Sequence, residues 1–263
     1  MRLAEATMDG ALARLPVGWR GPLLSVVATR AMRGAVLWSA LALLAGGWAL
    51  LSDEPGTVAL VYAALAVILT LTLSVGASMD RGTARWLLLF QAPVTPLVFY
   101  GRALVLRWSL ACGLVLVLAL AHTLVALLAD VPFTRGALLA MGGVYAWTLI
   151  LLTVLLAVGC ACATWLSPPN VPAAIVGLIL LSAVQGVLFT LMSVGDGAIR
   201  AVIRYLLLPL DGMGASAWLI GVPSSPPPLA DLVHLALYPV AAVAIALLRL
   251  HTLARAELRQ AEA

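Results

Sequence analysis

Residues 108–128 read WSLACGLVLVLALAHTLVALL, a run without Asp, Glu, Lys or Arg. About 20 consecutive apolar residues are what a helix needs to cross the ~30 Å hydrocarbon of a bilayer while bonding every backbone N–H and C=O within itself. The helix is expected to start earlier, at Pro96, with Thr95 as N-cap and proline at the first helical position. Asp130-Val131-Pro132 ends it.

Working outward, five further apolar runs are found. The first covers 34–51, and the acidic Ser52-Asp53-Glu54-Pro55-Gly56 turn separates it from the second, 58–77. The run quoted above is the third. The fourth, 137–166, is longer than a bilayer requires, so tilt or protrusion is expected. Ser167-Pro168-Pro169-Asn170 turns it into the fifth, 171–194, and the sixth, 229–248, follows Pro226-Pro227-Pro228. Composition agrees: hydrophobic residues make up 63% of the 263 and charged residues 10%, against about 45–50% and about 25% in soluble domains. The expected fold class is an all-α integral membrane protein of six transmembrane helices.

Short loops rich in Lys and Arg stay in the cytoplasm. Arg2, Arg14, Arg20, Arg30 and Arg33 precede the first run, Arg81, Arg85, Arg102 and Arg107 lie between the second and third, and Arg249, Arg255 and Arg259 follow the sixth. Six spans put all three groups on one side, with both termini inside. The other side receives Arg135, Arg200, Arg204, Asp53, Glu54, Asp130, Asp196 and Asp211. The stretch 198–221 is apolar enough to suggest a seventh span, yet it carries Arg200, Arg204, Pro209 and Asp211 and would move the basic C-terminus to the wrong side. It reads as an external or re-entrant amphipathic piece between the fifth and sixth helices. The organisation is then a cytoplasmic segment at 1–33, a transmembrane domain at 34–250 and a cytoplasmic tail at 251–263. The basic residues before residue 34 do not form an ordinary cleavable signal. Gly21-Pro22 and the apolar and basic residues after it fit an interfacial helix or an extension of the first span.

Few polar residues lie within the runs. Cys160 and Cys162 are two apart on a helix and point to nearly opposite faces, so small-residue packing, with the Gly159-x-x-x-Ala163 spacing, is expected there in place of a metal site. His122 stands alone among leucines and alanines. Gln185, in the middle of the fifth run, fits a place on a substrate path or a hydrogen bond to a neighbouring helix equally well. Asp231 and His234 could share a proton or a ligand, or Asp231 could favour the positive helix end while both face interfacial water. Tyr238-Pro239 is expected to kink the sixth helix.

The interval between the second and third runs holds the pattern with most functional content. From Asp80 it reads DRGTARWLLLFQAPVTP, continuing to Gly101-Arg102. This reads as a short helix opened by an acidic residue and stopped before Pro93, with Arg81 and Arg85 on one face and Trp86 and Phe90 on another. In order and spacing, Asp80, Gly82-Thr83, Leu87-Leu88, Pro93-Val94-Thr95 and Gly101-Arg102 resemble the signature of ABC-2 type permeases, the membrane subunits of ATP-binding-cassette exporters. The six-helix plan with both termini inside is similar to that family too. Arg85 departs from the pattern, whose members usually carry an acidic residue there, so the family's partner charge is not carried over to it.

The resemblance implies a cytoplasmic coupling helix that docks on a separate ABC ATPase subunit through Asp80, Gly82, Thr83, Arg85, Trp86, Phe90 and Pro93. ATP and Mg would sit on that partner, with no cofactor in this chain, and a second permease copy or close paralogue would complete an efflux unit in the cell inner membrane. Ala42 and Gly46 offer a small-residue seam for such pairing. Membrane lipid is an expected partner and nucleic acid is not. Lysine is absent, so the chain has no G-x-x-x-x-G-K-[ST] phosphate loop, and it contains neither H-E-x-x-H nor G-x-S-x-G. A non-transporting ABC-type scaffold is the alternative, and a haem-export-type permease, a secondary transporter or an intramembrane enzyme rank below it.

Overall fold

The computed structural model describes residues 30–51, 55–82, 96–129, 135–185, 187, 197–209 and 229–262. Among them there are helices and no strands: α1 (Arg30–Leu51), α2 (Pro55–Gly82), α3 (Pro96–Leu128), α4 (Arg135–Trp165), α5 (Asn170–Ala183), α6 (Ala198–Leu206) and α7 (Leu229–Glu262). Four of them are long and apolar enough to cross a membrane, over Val58–Ala77, Val98–Leu128, Met141–Trp165 and Leu229–Leu253. That is the pattern of a multi-pass membrane protein.

Proline sets several of these boundaries. α3 opens on Pro96, where the missing N–H costs nothing because the first turn has no intrahelical acceptor for it. α4 stops at Trp165 and α5 starts at Asn170, with the Asn170 N–H donating to Ser167 O at 3.0 Å across the Pro168-Pro169 turn. Pro239 lies inside α7, which keeps its helical assignment through the residue and on through the basic tail to Glu262. The 33 residues of α3 extend about 50 Å at 1.5 Å each, so the helix outruns the hydrocarbon. α6 has nine residues and reaches only about 13 Å, too short to be a seventh span.

α2 and α4 form the centre. They pack along each other; α1 lies against α2 and α3, α5 against α2 and α4, and α7 against α4 and α3. On α2 the buried side chains Tyr62, Leu65, Ala66, Leu69 and Leu73 recur at helical spacing and join Leu151, Leu152, Leu155 and Leu156 of α4 in one core. Gly159 is what brings the two backbones close. A Cβ there would collide with Ser74 Oγ and stand 3.2 Å from Ile175 Cδ1, so the Gly159-x-x-x-Ala163 spacing does admit a neighbouring helix, and that helix is α2. Of Met141–Trp165, 56% is buried, against 22% of Leu229–Leu253, so α4 is the axis and α7 is peripheral. Leu44, Trp48, Leu120 and Leu248 are among the large apolar side chains left exposed on the outside, an arrangement stable in lipid and costly in water. Several hydroxyls inside the bundle are satisfied by their own helices: Thr72, Thr148, Thr153 and Ser182 each donate to the carbonyl four residues back, at 2.7 Å, whereas Thr70 Oγ1 and Ser74 Oγ are buried with no partner among the described residues.

Candidate functional site

Among the described residues, three groups of polar side chains in the bundle bear on function. The first is a dry node at His122. Its Nε2 lies 2.9 Å from Leu43 O on α1, and its Nδ1 lies 2.6 Å from the Tyr62 hydroxyl on α2. The carbonyl can only accept, so Nε2 carries the hydrogen; in the neutral ring Nδ1 then accepts from the Tyr62 O–H. Tyr145 of α4 sets its ring edge-on to Tyr62 at 5.2 Å between centroids. His122 and Tyr62 are fully buried. Gly46 makes room for them: a Cβ at that position would collide with His122 Cε1 and stand 2.7 Å from Nε2. The node therefore joins α1, α2 and α3, with α4 packed beside it.

This corrects two expectations. His122 is not an isolated residue among aliphatics, since both ring nitrogens are engaged. Gly46 does not offer a free seam for a second copy either, because its small face is occupied by His122 of the same chain.

The second place is a clasp between α6 and α7. Arg204 donates to Asp231 Oδ1 at 2.8 Å, and the Tyr238 hydroxyl donates to Leu206 O at 3.0 Å. The His234 ring lies between Tyr205 and Tyr238, edge-on to both, at 4.9 and 5.4 Å. Just beyond α6, the Leu208 N–H donates to Ser182 Oγ of α5 at 3.0 Å. These contacts fold the amphipathic α6 back onto the bundle. Asp231 does stand in the first turn of α7, and its partner is Arg204; His234 is held by aromatic rings.

The third lies where α2, α3, α4 and α7 meet, near Arg107. By its place in the sequence this residue groups with the basic residues between the second and third apolar runs, although the third helix is expected to start at Pro96. In the structure Arg107 lies within the span Val98–Leu128 and is 3% exposed. Helical continuity from Pro96 was the signal: eleven residues beyond a helix start, an arginine is inside the helix and not in the loop.

The residues expected to dock a partner are divided by the end of α2. Asp80 and Gly82 belong to its last turn, so α2 carries helical backbone five residues past Ala77, and Asp80 ends this helix where the sequence reading had it open another. Thr83, Arg85, Trp86, Phe90 and Pro93 lie outside the described residues, as do residues 1–29 of the N-terminal segment, whose Arg30 and Arg33 stand in the first turns of α1. Gln185 stands just beyond α5, after the turn at Val184, not at the middle of a described helix. Its Oε1 is buried and has no hydrogen-bond partner among the described residues, which suits a group that meets a ligand or a neighbour. Cys160 and Cys162 are free thiols, the first buried and the second half-buried. No protein-family model and no curated protein matches this sequence.

Proposed function

We propose that this chain is the transmembrane permease subunit of an ABC exporter, driven by ATP hydrolysis on a separate nucleotide-binding subunit. The observation that carries the reading is the pattern Asp80, Gly82-Thr83, Leu87-Leu88, Pro93-Val94-Thr95 and Gly101-Arg102. It is supported by where that pattern falls: it starts in the last turn of α2, which holds Asp80 and Gly82, crosses the interval between Gly82 and Pro96, and ends at Gly101-Arg102 within α3. Two long helices would thus deliver to the bundle any force applied to the segment between them. In this reading α1 and the apolar run 171–194, of which α5 is the first part, complete six spans, both termini are cytoplasmic by the arginine asymmetry, and α6 lies on the outer side. The chain itself is not an enzyme. ATP and Mg belong to the partner ATPase, and two permeases pair around the transport path in the inner membrane.

Docking in an ATPase groove gives each residue a task. Gly82 permits close backbone approach, Thr83 hydrogen-bonds, Trp86 and Phe90 anchor by burial, and Arg85 pairs with a carboxylate. Losing one aromatic anchor costs about 2 kcal/mol of interface energy or more, a tens-fold loss of affinity. Phe90→Ala and Arg85→Glu are expected to lower co-purification of the ATPase or to uncouple hydrolysis from transport in proteoliposomes, with insertion unchanged. Normal association and normal coupled transport in both variants would overturn the proposal.

A further inference from the structure

The two halves of α7 are packed unlike one another. Beyond Pro239, Ala242, Ala246 and Leu250 are buried at four-residue spacing. Leu250 packs on Phe99 and Tyr100 of α3, and the Arg249 guanidinium sits 4.4 Å from the Trp165 ring centroid of α4. The cavity beside this half has a volume of only about 40 Å³. Before Pro239 the helix has room on two sides. A groove of about 370 Å³ lies between Leu232, Leu235 and Pro239 and the facing Leu149, Ile150 and Val154 of α4. Another, of about 600 Å³, lies between Leu229, Val233 and Leu237 and the Tyr205 ring of α6. A close-packed segment resists displacement, whereas one with few packed neighbours is free to shift.

Pro239 stands where the two kinds of packing meet. It has no N–H, so the Leu235 carbonyl lacks the bond that would otherwise close on it from four residues ahead, and the proline ring crowds that carbonyl. Helices bend at such residues, and membrane helices tolerate them. The ten residues from Leu229 to Tyr238 reach about 15 Å. A bend of about 20° at their base would carry the free end about 5 Å. What restrains this half is the clasp. Arg204 on Asp231 and the Tyr238 hydroxyl on Leu206 O tie it to α6, and the Leu208 N–H on Ser182 Oγ ties the end of α6 to α5.

We propose that α7 is a hinged helix with a latch. The half from Leu229 to Tyr238 swings about Pro239 and closes the groove against α4, while the half beyond Pro239 stays fixed to α3 and α4. The Arg204–Asp231 pair is the latch that holds the groove open. The inference does not depend on the exporter reading.

The test reads distances between paired spin labels by pulsed electron paramagnetic resonance, on the full chain in lipid nanodiscs with its three cysteines replaced by alanine. One pair, at Leu229 and Leu128, follows the first half of α7 against α3; the other, at Leu248 and Val105, follows the second half, and all four positions are exposed. The first pair is expected to show two distances about 5 Å apart, and the second pair a single distance. Pro239→Ala, which restores the backbone bond, should merge the two into one. Ala236→Phe, which fills the groove, should remove one of the two, and that one marks the closed position. Asp231→Asn at low salt should enrich the closed position about twofold. A single distance for the first pair, in the parent chain and in Asp231→Asn alike, would overturn the proposal. Two distances that persist in Pro239→Ala would do so as well, since fraying of the first turn of α7 gives that result without a hinge. Enrichment by Asp231→Asn of the position that Ala236→Phe retains would overturn the assignment of the latch.

Discussion

At the His122 node two hydrogen bonds join three helices, and neither His122 nor Tyr62 has more than 1% of its surface exposed. At the α6–α7 clasp a similar number of polar bonds joins two helices, yet the Arg204 side chain is 43% exposed. The bonds have like lengths, so their geometry does not separate the two regions. What separates them is whether water can replace a lost partner. Asp231 stands in the first turn of α7, at the edge of a membrane-crossing helix, where water and lipid head groups are within reach. His122 lies among packed side chains, where an unpaired polar group bears its full desolvation cost. The node is thus the rigid part of the bundle, and the clasp is the part that can open at low cost.

The comparison breaks most readily at Gly46. Gly46→Leu drives a side chain into the His122 ring and must separate α1 from α3, with a cost of about 3 kcal/mol from overpacking. Gly47, one residue along, faces open space, with nothing within 4 Å of a Cβ there; Gly47→Leu should leave stability nearly unchanged. Thermal melting of the two purified variants reads the difference. Equal melting temperatures would mean that α1 is not held against α3 by this close approach.

Next in size is His122→Ala, which leaves a void and strands the Tyr62 hydroxyl, at a cost of about 2 kcal/mol. Tyr62→Phe removes little volume but leaves His122 Nδ1 buried without a donor, and should cost about 1 kcal/mol, the low end for a stranded acceptor. In the double variant Tyr62→Phe with His122→Ala, no hydroxyl is stranded, so the summed cost should fall short of the two single costs added together. Strict additivity in unfolding measurements would show that the two side chains do not depend on each other.

The contrast also separates what the sequence made legible from what it did not. The two ends of α3, the end of α4 and the start of α5 could be read because proline and charge act locally: Pro96 opens one helix and Pro168-Pro169 divides two others; the end of α5 at Ala183 could not, since the apolar run goes on to 194. The second apolar run matched the span Val58–Ala77 residue for residue for the same reason. His122 could not be read, since its partners stand 60 and 79 residues away on other helices, and a lone histidine in a leucine-rich run has no local mark of a tyrosine across the bundle. The role of Gly46 follows from that contact and was hidden with it. Arg107 was hidden differently: runs defined by absence of charge end at the charge, although the helix does not. Where α7 continues through Arg249 to Glu262, the same habit cut a helix at its first arginine and gave the rest to a tail.

The smallest effect should come from the clasp. Asp231→Asn keeps the shape of the side chain and removes the charge that Arg204 meets at 2.8 Å. The pair is split between a half-exposed arginine and a less exposed carboxylate, so its attraction is screened and the arginine has water to turn to. The cost should be about 0.5 kcal/mol at low salt, and raising the salt to about 1 M, where the screening length is near 3 Å, should bring wild type and variant together. His122→Ala, by contrast, should keep its full deficit at high salt, since no solvent ion reaches the node. Melting the three proteins at low and high salt makes the comparison directly. A salt-independent loss at Asp231 as large as that of His122→Ala would show that α6 is sealed onto α7 as firmly as α1 is onto α3. The clasp would then be no easier to open than the node.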